Sequence, residues 1–224
     1  MKQSRGCKKL KNKVIEAIEK EKIIVIVRGV AKEKLIPLCN AMYEGEIRLL
    51  EVTFDASKKV SDLQTAENIK MLAEEFSGRM FIGAGTVLTK KQVELVKKAG
   101  GSFIISPNTD KKVIKATKKL GMVSMPGALT PSEIKMAVDF GADFVKLFPV
   151  SNFGPDYVKA VKAPLSNIKF TAVGGIDENN MKDYIKVGVS GFGIGTNIVN
   201  KTFVENNEYD KITALAKKYV EELN

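Results

Sequence analysis

Eight times along these 224 residues a short apolar or β-branched run gives way to a stretch with helical spacing. The runs are IIVIV (23–27), IRLLEVTF (47–54), MFIGAG (80–85), SFIIS (102–106), MVSM (122–125), DFVKLF (143–148), IKFTAV (168–173) and GFGI (191–194). Between them lie segments such as AKEKLIPLCNAMYEG and TKKQVELVKKAG, whose apolar residues recur every three or four positions. A chain that alternates strand and helix throughout builds a parallel sheet, because parallel neighbours need a crossover between them. Eight such units in about 200 residues predict a (β/α)8 barrel with a short N-terminal helix before the first strand. The competing doubly wound sheet is disfavoured by the count of eight and by polar residues gathered at the C-terminal ends of strands. With 44% hydrophobic residues and no Pro/Ser-rich linker, residues 1–224 read as a single barrel domain.

Local signals agree. Thr130-Pro131-Ser132-Glu133 has the spacing of a capping box with proline in the first helical turn, and Gly100 and Gly141 stand where helices should stop. On the second strand, alternation gives Leu50, Val52 and Phe54 to the outer helices and leaves Glu51, Thr53 and Asp55 on the lumen side.

The net charge of +10 suggests nucleic acid until it is located. Six of the basic residues fall within positions 1–13, a basic N-terminal tail without an acid, which leaves +4 for the rest. Only four of the 36 basic residues are arginine, the side chain suited to bidentate base and phosphate contacts, so a mildly cationic surface for anionic substrates is expected and not a nucleic-acid partner. Cys7 and Cys39 form no CxxC motif and no disulfide framework, which points to a reducing cytoplasm. IIVIV is too short to span a bilayer, so no membrane association is expected.

Lys146 is the most unusual single residue. In ADFVKLFPV the alternation of side chains puts Val145 and Leu147 on one face and Phe144, Lys146 and Phe148 on the other, aiming an ammonium among apolar groups. Burial disfavours the charged form, and a neutral amine attacks carbonyls. Lowering a lysine pKa from about 10.4 to about 7.5 costs roughly 4 kcal/mol and raises the neutral fraction at pH 7.5 several-hundred-fold. The bland alternative, a lysine whose head snorkels to solvent from a strand end, stands equal to it on this run alone.

Glu51 is a carboxylate on the lumen face of an otherwise apolar strand, where desolvation would suit it to shuttle protons; it could equally pair with Arg28 for structure. Arg28, at the end of the first strand, is also placed to hold a substrate carboxylate, and Phe148 shares the face of Lys146. Gly174-Gly175 and Gly195-Thr196 end the last two strands, the position at which barrels often hold phosphate on backbone N–H groups, and a helix starting near Thr196 would add its positive end. Simple turn glycines are the alternative. Thr86 and Pro107, taken singly, read as turn residues. GFGIGT lacks the spacing and the following βαβ unit of a dinucleotide fingerprint, and the absence of histidine removes Ser-His and Cys-His nucleophile systems.

Together and in this order, IVRGV, LLEVTF, IGAGTVLT, FIISPN, PGALTPSEI, DFVKLFP, VGGI and GIGT resemble the bacterial 2-keto-3-deoxy-6-phosphogluconate / 4-hydroxy-2-oxoglutarate aldolases over residues 25–196. The resemblance implies a class I pyruvate aldolase, commonly trimeric, acting on a phosphorylated keto acid or a related 2-keto-4-hydroxy acid and needing no metal or organic cofactor. It implies Lys146 as Schiff-base lysine, Glu51 as general acid/base, Thr86 and Pro107 beside the pyruvate portion, and Gly174-Gly175 and Gly195-Thr196 around the distal phosphate. Asp55 stands where many members carry an arginine, and Val173 where they commonly carry threonine. The alternatives are a metal-dependent lyase or decarboxylase using Glu51 and Asp55, and a non-catalytic binding protein with a basic tail.

Overall fold

The computed structural model describes residues 2–223, with side chains from residue 8 onward and at residue 6; the side chains of Lys2, Arg5 and Cys7 lie outside the described residues. The first helix, α1 (Lys2–Glu21), leads into β1 (Ile23–Val27), and the chain then runs α2 (Lys32–Glu44), β2 (Leu49–Thr53), α3 (Asp62–Glu75), β3 (Phe81–Gly85), α4 (Lys90–Lys98), β4 (Phe103–Ile105), α5 (Lys111–Lys119) and β5 (Val123–Met125). It continues through β6 (Gly127–Ala128), α6 (Pro131–Phe140), β7 (Val145–Leu147), α7 (Gly154–Lys162), β8 (Phe170–Val173), α8 (Met181–Lys186), β9 (Gly191–Ile194), α9 (Lys201–Glu205) and α10 (Tyr209–Glu221).

The strands lie parallel in the order β5-β4-β3-β2-β1-β9-β8-β7-β6. One residue, Pro126, separates the two ends of that order, so β5 and β6 are the halves of one barrel stave and the sheet closes through the chain itself. Proline carries no N–H and interrupts the ladder, which is why the stave begun by the fifth run, 122–125, resumes beyond that run as the separate strand β6. Its carbonyl still accepts from Lys146 N at 2.9 Å, tying the broken stave to β7.

Alternation sorts the apolar residues into two layers. Val25, Leu50, Val52, Ile82, Val145, Leu147, Phe170 and Phe192 face the helices. Ile24, Leu49, Phe103, Val123 and Phe144 fill the lower lumen, where Val14 and Ile18 of α1 close the floor. Each fully buried side chain of this size contributes on the order of 2 kcal/mol. Of the basic segment 1–13, expected as a tail, residues 2–13 form the opening of a 20-residue helix. Lys11 is held at 2.8 Å by Asp143, whose same oxygen receives Lys118 at 2.6 Å while the other accepts Ser124 N at 2.9 Å.

At the opposite, C-terminal mouth the helices begin cleanly. Capping boxes formed by Ser61 with Gln64, Thr89 with Gln92 and Thr130 with Glu133 satisfy the first amides of α3, α4 and α6. Gly141 ends α6 at φ +107°, as its position in the sequence suggested. Among the described residues no helix is long and apolar enough to cross a membrane.

Candidate active site

Lys146 emerges at the middle of β7, buried, with only 8% of its surface exposed. Its ammonium nitrogen lies 4.6 Å from the centre of the Phe148 ring, two residues along the same face. Burial pushes the Lys146 pKa down; Glu51 opposes the shift and Arg28 adds to it. Glu51, 2% exposed at the centre of β2, is pushed up by burial, with Lys146 and Arg28 pulling the other way. β2 and β7 are four staves apart in a ring of eight, so the two groups meet from opposite walls of the lumen. A lysine driven toward its neutral form has the chemistry of a nucleophile, and a carboxyl driven toward its protonated form that of a proton carrier.

Gly85 is the residue that lets Glu51 lie there. A Cβ on Gly85 would stand 2.5 Å from Glu51 Oε1 and 2.7 Å from its Cδ, so the carboxyl group rests where any other residue would put a side chain. The sequence carried this signal in IGAGT, where glycine falls at lumen positions 83 and 85, but only the fold shows which neighbour uses the space.

Arg28 leaves the end of β1 and donates from Nη2 to Thr86 Oγ1 at 3.2 Å. Thr86 has φ +54°, a left-handed conformation that costs a non-glycine residue about 1–2 kcal/mol. Backbone strain of this kind tends to collect at functional sites. Pro107 reaches the same neighbourhood indirectly. A Cβ on Gly127 would stand 2.3 Å from the Pro107 carbonyl oxygen, and Gly127 is the ladder partner of Lys146.

A cavity of about 390 Å³ is lined by Arg28, Phe148, Gly174, Gly175, Gly195 and Thr196, with Val173 and Asn197 beside them; Lys146, Glu51, Thr86 and Pro107 do not line it, and Arg28 and Phe148 are what join it to that group. Gly174 and Gly175 have φ +97° and +70°, which other residues adopt only under strain, and a Cβ on Gly175 would lie 2.6 Å from that of Ser151. Asn197 Nδ2 donates to Ile176 O at 2.9 Å and joins the loop after β9 to the loop after β8. The expected helix at Thr196 is a single turn closed by Ile198 N and Val199 N on Gly195 O at 3.0 and 2.9 Å. α9 begins only at Lys201, after its cap Asn200. The cavity therefore has no helix of its own at Thr196.

Asp55 does not join Glu51. It lies beyond the end of β2, and its carboxylate accepts from Ser57 N at 2.8 Å, Ser57 Oγ at 2.7 Å and Val60 N at 3.0 Å. Those bonds hold its pKa down at about 2. Its oxygens are spent on folding the β2–α3 loop, which separates it from the lumen carboxylate that the metal-dependent alternative would pair it with.

Proteins named as aldolases are similar to this chain in sequence and in fold. A probable 2-dehydro-3-deoxy-6-phosphogalactonate aldolase of Rhizobium meliloti (strain 1021) is 36% identical over 177 residues, 79% of this chain and 81% of the relative. A KHG/KDPG aldolase of Escherichia coli (strain K12) is 32% identical over 200 residues, 88% and 89% of the two chains. The crystal structure of the KDPG aldolase from Legionella pneumophila, with pyruvate captured at low pH as a covalent carbinolamine intermediate, superimposes with a TM-score of 0.82 at 28% identity, covering 91% of this chain and 96% of that one. The family model for KDPG and KHG aldolase matches residues 14–215, and the chain belongs to that aldolase family.

Proposed function

We propose that this aldolase cleaves a phosphorylated 2-keto-3-deoxyhexonate to pyruvate and glyceraldehyde 3-phosphate through a Schiff base on Lys146. The observation that carries the reading is the opposed pair itself: a buried amine held toward neutrality and, on the opposite wall, a buried carboxyl held toward protonation, joined through Phe148 and Arg28 to a cavity walled by glycine loops.

In this mechanism neutral Lys146 attacks the C2 ketone and, after loss of water, the iminium accepts the electrons of the breaking C3–C4 bond. Glu51 removes the proton from the C4 hydroxyl as that bond breaks, and a proton returns to C3 of the enamine once the aldehyde has left. Water then releases pyruvate. Arg28 and Thr86, already bonded to each other, hold the carboxylate end, with Pro107 and Phe148 shaping the pyruvate portion. Gly174, Gly175, Gly195 and Thr196 take the distal phosphate on main-chain N–H groups and one hydroxyl.

The gluconate and galactonate forms of the substrate differ at C4. Val173, which lines the cavity and is 7% exposed, presents methyl groups there and no hydrogen-bonding group, and a relative named for the galactonate form is 36% identical. Both forms, together with unphosphorylated 4-hydroxy-2-oxoglutarate, make up the substrate panel, read by pyruvate release. Borohydride added with pyruvate is expected to leave one reduced adduct, mapped by peptide mass to Lys146. An adduct elsewhere, or none, refutes the assignment. The proposal extends to a homotrimer, and light scattering that returns one or two chain masses would refute it.

A further inference from the structure

Two buried polar side-chain atoms have no hydrogen-bond partner among the described protein groups: Glu51 Oε2 and Thr171 Oγ1. Both residues are 2% exposed. Folded proteins rarely leave such groups unpaired, and an internal water commonly serves two or three of them at once. Thr171 is the ladder partner of Lys146. It faces the lumen, because its neighbours Phe170 and Ala172 belong to the outer layer.

The row across the barrel wall at this level reads Gly127, Lys146, Thr171, Gly191. At either end a Cβ would run into main chain, that of Pro107 beside Gly127 and that of Lys22 beside Gly191. The two flanking positions therefore contribute no side chain of their own beside the polar pair. Parallel strands lie about 4.8 Å apart, which brings the Thr171 hydroxyl alongside the Lys146 side chain. Nothing in the cleavage chemistry above uses that hydroxyl.

We propose that Thr171 is a positioning residue for water: its hydroxyl, with Glu51 and the Lys146 nitrogen, holds the molecule that leaves C2 as the Schiff base forms and returns as it is hydrolysed. This rests on the assignment of Lys146 as the Schiff-base lysine. In the forward step the carbinolamine C2–O bond breaks, the departing oxygen takes a proton from Glu51 and leaves as water, and the nitrogen lone pair forms C2=N. In reverse, the water oxygen bonds to C2 as one of its protons passes to Glu51, and the remaining hydroxyl proton then moves to nitrogen as the C2–N bond breaks, freeing the amine and the ketone. No oxidant or reductant is involved.

The test uses pyruvate alone and two isotopes. Exchange of the ketone oxygen with ¹⁸O-water, corrected for uncatalysed hydration, reads the water step, and exchange of C3 hydrogen with deuterium reads proton transfer. Both are divided by the amount of borohydride-trapped Lys146 adduct, so that loss of folded protein cancels. In Thr171→Val, which keeps the side-chain shape, oxygen exchange per adduct should fall at least about tenfold, with hydrogen exchange per adduct within about twofold of wild type. Thr171→Ser should restore oxygen exchange. Unchanged oxygen exchange in Thr171→Val, or equal loss of both exchanges, overturns the inference and leaves the Lys146 assignment intact. Wild-type protein with no adduct at Lys146 overturns both.

Discussion

Glu51 and Lys146 face each other from opposite staves of the barrel, and each offsets part of what burial does to the other. The carboxylate keeps the lysine pKa from falling as far as burial alone would take it, while Arg28 pushes it further down. Two substitutions should therefore move one pH profile in opposite directions. Trapping of pyruvate by borohydride needs the neutral amine, so its acid limb follows the Lys146 pKa. Glu51→Gln removes the negative neighbour and should shift that limb to lower pH. Arg28→Met removes a positive neighbour and should shift it to higher pH. Shifts in the same direction would mean that another group controls Lys146.

Proton transfer should be separable from carbonyl attack. Glu51→Gln is expected to lower kcat for cleavage by roughly 10²–10⁴, while adduct formation with pyruvate, slowed by loss of the proton that Glu51 gives the departing water, persists in part. Gly85→Ala should give a milder version of the same defect, since the new methyl group would displace the Glu51 carboxyl, the movable end of a side chain, and not any backbone. Steady-state kinetics with circular dichroism checks both. Wild-type kcat in Gly85→Ala would show that the position of Glu51 is not critical.

The phosphate reading is best tested at Gly195. Gly175→Val would mix effects, because that residue has φ +70° and a Cβ there meets Ser151 at 2.6 Å. Gly195 lies outside the left-handed region, and the nearest atom to its Cβ would be that of Ile26 at an ordinary 3.7 Å. Gly195→Val should fold normally and raise KM for the phosphorylated substrate at least about tenfold, equivalent to roughly 1.4 kcal/mol. Cleavage of 4-hydroxy-2-oxoglutarate should change little. Equal losses on both substrates would return these glycines to the fold.

At the far end of the barrel, Asp143 binds Lys11, Lys118 and the amide of Ser124. Asp143→Ala strands two lysines and an amide, and should cost about 2 kcal/mol, the scale of hydrogen bonds to a charged group. For a chain of this size that lowers Tm by about 5 °C. kcat/KM of the folded enzyme should stay unchanged, because the active site occupies the other mouth. Calorimetry and kinetics on one sample decide it, and a loss of activity without a loss of Tm would contradict the assignment of Asp143 to stability.

Much of this protein could be read from residue order because the decisive signals are local. Alternation on a strand has a period of two whatever the rest of the chain does, so Glu51 goes to the lumen and Leu50 to the helices, and Lys146 to the face opposite Val145, without any tertiary information. Capping at Thr130 and the stop at Gly141 are likewise settled within four or five residues. The fate of Asp55 was also local: Asp-x-Ser beyond a strand end forms an Asx-type turn, and that competition outweighed the simple extension of β2. Other features depend on contacts between distant segments. Closure of the sheet at Pro126 brings β2 and β7 to face each other, and it alone makes Glu51 and Lys146 a pair with opposed proton affinities. Gly85 as the seat of Glu51, Asn197 as the tie between two loops, Asp143 as the clamp on α1 and the unpartnered hydroxyl of Thr171 are relations across strands or across the ring. No local pattern encodes them, since burial and charge coupling are properties of the space that the closed barrel creates.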